Sequence, residues 1–131
     1  MRLCLRLLFI ALPALSALPA CAGETGVSAR LLVQESPLAG FQFHEGKRLW
    51  EELRVGDRLD LIREPENSHD ARAVRVEWQG HFLGYVPRAD NEDVARQLDR
   101  GARLEARITR LKKSRNPWQR VLFEVYVDSG R

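Results

Sequence analysis

Arg63-Glu64-Pro65-Glu66-Asn67-Ser68-His69-Asp70-Ala71-Arg72-Ala73-Val74-Arg75-Val76, followed by Gly84-Tyr85-Val86-Pro87-Arg88, decides how this chain reads. Residues 59–63 form one strand pattern, 73–78 a second and 82–86 a third, with a polar turn after Arg63. Pro65 fixes φ and offers no ladder hydrogen bond. Asn67, Ser68 and Asp70 carry short side chains that bond to nearby backbone and hold a loop in shape. A turn needs one or two such residues. Four of them within six positions, beside the imidazole of His69, mark a loop whose form is used.

The flanking segments extend the strand count. Residues 28–35 read as a first strand stopped by Ser36-Pro37. Residues 40–44 read as a short strand with Phe41 and Phe43 on one face and Gln42 and His44 on the other. Residues 46–53 form a single helical turn or an irregular excursion, with Trp50 and Leu53 packing down as a lid. A turn at 55–57 precedes strands at 58–63, 73–78 and 81–86, the last two joined by the hairpin signal Gln79-Gly80. Residues 89–100 read as the one clear helix, capped by Asp90 or Asn91, with Val94, Ala95 and Leu98 on its apolar face. Alternating strands at 103–111 and 120–128 complete the domain.

Seven or so short strands with one α-helix predict a mostly β fold, a small antiparallel barrel. Its expected core holds Leu59, Leu61, Val74, Val76, Phe82, Ile108, Phe123 and Val125.

The N-terminus reads differently. Arg2 and Arg6 precede an apolar run at 7–18, and small residues follow at Ala20, Cys21, Ala22 and Gly23. The run is shorter than the ~20 residues of a spanning helix and contains Pro13. Residues 1–22 are therefore expected to be a signal peptide, with the protein exported to the periplasm or lipid-anchored. Ala20-Cys21-Ala22 fits cleavage before Gly23, whereas Leu18-Pro19-Ala20-Cys21 resembles a lipobox that would make Cys21 a membrane anchor. The domain at 28–128 then contains no cysteine, which excludes an internal disulfide or a thiolate zinc site.

Of the 21 Lys and Arg, 19 follow Gly23, as do all 18 acids, so the domain carries about +1 and bulk basicity is not its device. Clustering is. Arg107, Arg110, Lys112, Lys113, Arg115 and Arg120 place six cations and no acid in fourteen residues, with Trp118 among them. The ordinary reading of such a run is a solvated hairpin tip, with Trp118 packed back on the barrel. The alternative is a stacking platform beside cations, where an aromatic contributes ~1–3 kcal/mol per stacked base.

Ser68-His69-Asp70 holds the residue types of a catalytic triad, but adjacent residues rarely converge on one reacting atom. Glu64 and Asp70 lack a third metal ligand, and His44, His69 and His81 lack ligand spacing. No catalytic site, metal or cofactor is expected.

These motifs resemble the HIRAN domain. The shared features are Gly40, Phe41, Gln42, Phe43 and His44; the turn Glu64, Pro65, Asn67, His69 and Asp70 leading into Ala73, Val74 and Val76; and Gly84, Tyr85, Val86 and Arg88. Gln42, His44, Ser68 and His69 differ from the family pattern, which tends to a basic residue, tyrosines and a proline there. The resemblance implies an OB/SH3-like β-barrel that binds single-stranded DNA, particularly a 3′ end, without catalysis of its own. It implies that Phe43 stacks on a base, His69 meets the terminal nucleotide, Asp70 accepts from the 3′-hydroxyl and Asn67 shapes the pocket. Arg88 would contact phosphate beside Tyr85, with Trp118 as a far-side aromatic. A rival expectation is an envelope protein whose groove takes a protein or glycan partner.

Overall fold

The structure, a computed structural model, describes residues 29–128. The expected signal peptide and the Cys21 anchor lie outside the described residues. Six strands form one antiparallel sheet in the order β1-β6-β5-β2-β3-β4. They are β1 (Arg30–Pro37), β2 (Arg58–Arg63), β3 (Val74–Trp78), β4 (His81–Tyr85), β5 (Leu104–Leu111) and β6 (Val121–Asp128). Helix α1 (Gly46–Leu49) is one turn, and α2 (Asn91–Asp99) is the main helix. No helix among the described residues is long and apolar enough to cross a membrane.

The sheet rolls because its inward positions are apolar. Val74, Val76 and Trp78 of β3 and Val121, Phe123 and Val125 of β6 are buried at alternate positions. Each large side chain so buried contributes roughly 1.5–3 kcal/mol. The chain just past β1 returns to the far edge of the sheet: Ala39 exchanges two 2.9 Å backbone hydrogen bonds with Tyr85 at the end of β4, and the Glu45 amide donates to the Phe82 carbonyl at 3.0 Å. This seam needs Gly84, since a Cβ there would stand 2.2 Å from the carbonyl oxygen of Ala39. The β3–β4 hairpin turns through Gln79 (φ 48°) and Gly80 (φ 81°), the positive-φ pair of a tight two-residue turn.

Several expectations are corrected. The first strand runs through Ser36 and Pro37, because Pro37 takes the terminal position, opposite Leu122, and pairing resumes when the Leu38 amide donates to the Val121 carbonyl at 3.0 Å. Residues 40–44 are not a strand. Gly40 adopts a left-handed conformation (φ 75°), and Phe41–Phe43 forms a 3-10 turn closed by the Phe43 amide on the Gly40 carbonyl at 3.0 Å. Phe41 and Phe43 thus part company: Phe41 enters the core, and Phe43 is 78% exposed.

Leu61 is only partly buried against the core, and Phe82 lies outside it. A register shift between Val76 and Glu77 sets Phe82 opposite Glu77 on the outer face and drives Leu83 inward. Phe82 stacks instead on His44, ring centroids 3.8 Å apart. Neither Asp90 nor Asn91 caps α2 with its side chain. Asp90 accepts from the hydroxyl of buried Ser36 at 3.5 Å, and Asn91 turns to the loop after β2. Val94 and Ala95 are buried as their spacing predicts, and Leu98 packs against the core. Arg63 anchors the far end of α2, gripping both carboxylate oxygens of Asp99 at 3.0 and 3.3 Å.

Candidate functional site

The loop between β2 and β3 is built from its own side chains. Asn67 Oδ1 accepts from the amides of His69 (2.9 Å) and Asp70 (3.2 Å), an Asx turn that fixes the tip. Its Nδ2 donates to Glu64 Oε1 at 3.1 Å. Glu64 is a hub: the same oxygen accepts from the Tyr85 hydroxyl at 2.9 Å, and its other oxygen from Arg75 at 3.1 Å. Burial and the Glu64 carboxylate together push the Tyr85 phenol above its ordinary pKa.

Asp70 is the second bonded acid of this loop. Oδ1 accepts from the Arg72 amide at 2.9 Å and Oδ2 from Asn91 Nδ2 at 2.7 Å, with Arg88 Nε at 3.8 Å. Burial raises its pKa, but the Arg72 amide, the Asn91 amide and the Arg88 and Arg72 charges outweigh that and hold the carboxyl below its ordinary value. Arg88 also donates from Nη2 to the His69 carbonyl, tying the strand end beyond β4 to the loop.

These residues share one groove of about 550 Å³. Asn67, His69, Asp70, Tyr85, Arg88 and Trp118 all line it, over an apolar floor of Ala39, Ala73 and Val86. The His69 side chain is exposed, and its imidazole has no hydrogen-bond partner among the described residues. Trp118 is 52% exposed, so it does not pack back on the barrel. It is carried by a 3-10 turn (Pro117–Gln119) capped by Asn116, whose Oδ1 accepts from the Trp118 amide at 3.1 Å. Phe43 does not line the groove; its own 3-10 turn packs beside the one that carries Trp118.

Other candidates scatter. Most of the basic run faces elsewhere: Arg107 bonds Glu105 and the Gly56 carbonyl, both at 3.1 Å, and Arg120 bonds the Ser114 carbonyl at 2.8 Å. His81 meets Glu45 at 3.2 Å. Among the described residues no group of three or more His, Cys, Asp or Glu could hold a metal ion. In the Ser68-His69-Asp70 run, the Asp70 carboxylate bonds Arg72 and Asn91 rather than the imidazole.

Sequence reasoning missed Asn91 and Glu64's role as a hub. Asn91 is fully buried, and its Oδ1 has no hydrogen-bond partner among the described residues. A polar residue at a helix start reads as a cap, and only the tertiary contact reveals its other use.

Comparison with known proteins agrees with this architecture. The sequence profile of the HIRAN domain matches residues 31–129. A Fanconi-associated nuclease 1 homolog from Oryza sativa subsp. japonica is 34% identical over 77 residues, 56% of this chain but 8% of that much longer protein. The crystal structure of a protein from Lactobacillus plantarum superposes with a TM-score of 0.66 at 26% identity, covering 76% of this chain and 96% of that one. The crystal structure of the HIRAN domain of human HLTF shares the fold, with a TM-score of 0.59 at 17% identity over 76% of this chain and 79% of that one. With a profile match that spans the whole barrel and the turn that shapes its groove, the chain belongs to the HIRAN domain family, binding modules found in nucleic-acid-binding proteins.

Proposed function

We propose that the groove binds the 3′ end of single-stranded DNA and that the domain acts by binding alone. One observation carries the reading: an ionised, positioned carboxylate (Asp70) stands in one groove with a cation (Arg88) and three aromatic rings (His69, Tyr85 and Trp118). Rings exposed to water offer stacking faces to bases of any sequence. A carboxylate accepts from a terminal hydroxyl and repels a terminal phosphate, which makes it a selector for the strand end. Arg88 answers the backbone phosphate. Asn67 spends its side chain on the loop and so shapes the pocket, and Phe43, on the neighbouring turn, stacks on a base beyond the groove.

Fluorescence anisotropy with two oligonucleotides that differ only at the 3′ end tests this. The free hydroxyl is expected to bind more tightly than the 3′-phosphate. Asp70→Ala should erase that difference and cost roughly 1.5–3 kcal/mol of affinity. Arg88→Ala should weaken all strands alike and reduce the log–log salt slope by about 0.7. Equal binding of both ends, or none at low salt, would move the groove to a protein or glycan partner in the cell envelope. That second reading is favoured by the leader-like N-terminus, and with it we propose export, by cleavage before Cys21 or Gly23. The intact mass of protein recovered from cells distinguishes the two sites, and a full-length mass overturns export.

A further inference from the structure

The loop at 112–119 has two sides. On one, Trp118 walls the groove. On the other, Lys113 and Arg120 wall a second cleft of about 290 Å³, together with Lys47, Trp50 and Glu51 over Phe41. Trp50 is half-buried and meets Phe41 edge-on, centroids 5.7 Å apart at 79°, while its indole N–H has no partner among the described residues. Three cations surround this ring against one carboxylate. Lys47 Nζ and both Nη groups of Arg120 have no partner among the described residues. Lys113 Nζ lies 3.3 Å from Glu51, but both side chains are about four-fifths exposed, and so exposed a pair holds its geometry only weakly.

The cleft and the groove flank the same pair of 3-10 turns. Phe43 and Trp118 sit exposed on two 3-10 turns that pack against each other, and Phe41, from the first of these turns, floors the cleft. Asp70 and Trp118 thus line the groove, Phe43 sits on the turn beside Trp118, and Trp50 lines the cleft with the cations. We infer that the cleft is a second nucleotide subsite, which takes the strand 5′ of the end held in the groove: Trp50 stacks on a base, and Lys47, Lys113 and Arg120 neutralise the phosphates beside it. This rests on the groove reading above and extends it to a defined path.

The test uses the full-length chain with a dT trinucleotide and a dT decanucleotide, both with a free 3′-hydroxyl. A Lys47→Ala, Lys113→Ala double variant should leave trinucleotide binding unchanged and reduce the salt slope for the decanucleotide by about 1.4, two contacts' worth. Trp50→Leu should weaken the decanucleotide roughly tenfold. If that variant fails to fold, the lysine pair, exposed and outside the core, carries the test. Unchanged decanucleotide binding and slope in the lysine variant, or equal weakening of both oligonucleotides, would overturn the second subsite while the groove reading stands. Loss of trinucleotide binding by the unmodified protein would instead remove the groove reading, and this inference with it.

Discussion

Asn91 holds Asp70. Its side-chain amide lies 2.7 Å from Asp70 Oδ2, although the two residues are 21 apart in sequence and sit on different elements. The start of α2 and the loop after β2 therefore form one unit, clamped at the other end of the helix by Arg63 on Asp99. A fully buried residue that does not line the groove thus helps set the orientation of the groove's carboxylate.

Asn91→Ala should cost about 1–3 kcal/mol of stability in urea unfolding, because it leaves a half-buried carboxylate oxygen without its donor. The pKa of Asp70 should also rise toward its ordinary value, since one of the interactions that lower it is gone. Asp70 is depressed in the folded state, so its stabilising contribution is present above the unfolded value of ~3.9 and disappears as pH falls through the folded value. NMR titration of the Asp70 carboxyl checks both points, and an unchanged pKa would sink the coupling.

His44 gives the protein a second pH response, nearer neutrality. Desolvation against Phe82 lowers its pKa, so the unfolded chain binds more protons than the folded one. Stability should therefore fall as pH drops from about 6.5 toward the folded value. His44→Phe keeps a ring on Phe82 and removes the titration. Its denaturation midpoint is expected to vary less over that window than the parent's, and equal slopes would contradict the assignment.

Glu64 is expected to govern the Tyr85 phenol. In Glu64→Gln the acceptor survives and the charge does not, so the Tyr85 pKa should move down while staying above the ordinary value, because burial still opposes the phenolate. Ultraviolet titration of the phenol reads this directly. A pKa unchanged by the substitution would show that burial alone sets it.

Gly84→Ala should destabilise the fold by about 1–3 kcal/mol, the range for forcing atoms into a packed site. Its Cβ would meet a backbone carbonyl, which cannot move aside as a side-chain tip can. Thermal unfolding of this variant close to the parent's would mean that the seam opens without consequence.

Much of this was legible in the chain. The 58–63, 73–78 and 81–86 strands follow from alternation and from Gln79-Gly80, and the excess of short polar residues at 64–70 pointed to the loop that walls the groove. The misses share a cause. Alternation assigned Phe82 to the core, but the bulge that gives its place to Leu83 lies beside Gly84, whose contact is with Ala39, far away in sequence. Phe41 and Phe43 are two apart, as on one face of a strand, yet the left-handed Gly40 turns them into a 3-10 geometry that divides them. Asn91 looked like a cap because its partner is Asp70 rather than a neighbouring amide. Local pattern identified the pieces; tertiary contact decided which way each faced.

The bridge between Ala39 and Tyr85 has a consequence for how an occupant would make itself felt. Both residues also line the groove, so the floor of the site includes the residues that stitch the chain past β1 to the end of β4. A ligand settled there shields this bridge, where the chain past β1 and the end of β4 exchange two backbone hydrogen bonds. Occupancy would be written into the fold as slowed hydrogen exchange at Ala39 and Tyr85, a readout that needs no knowledge of what the ligand is.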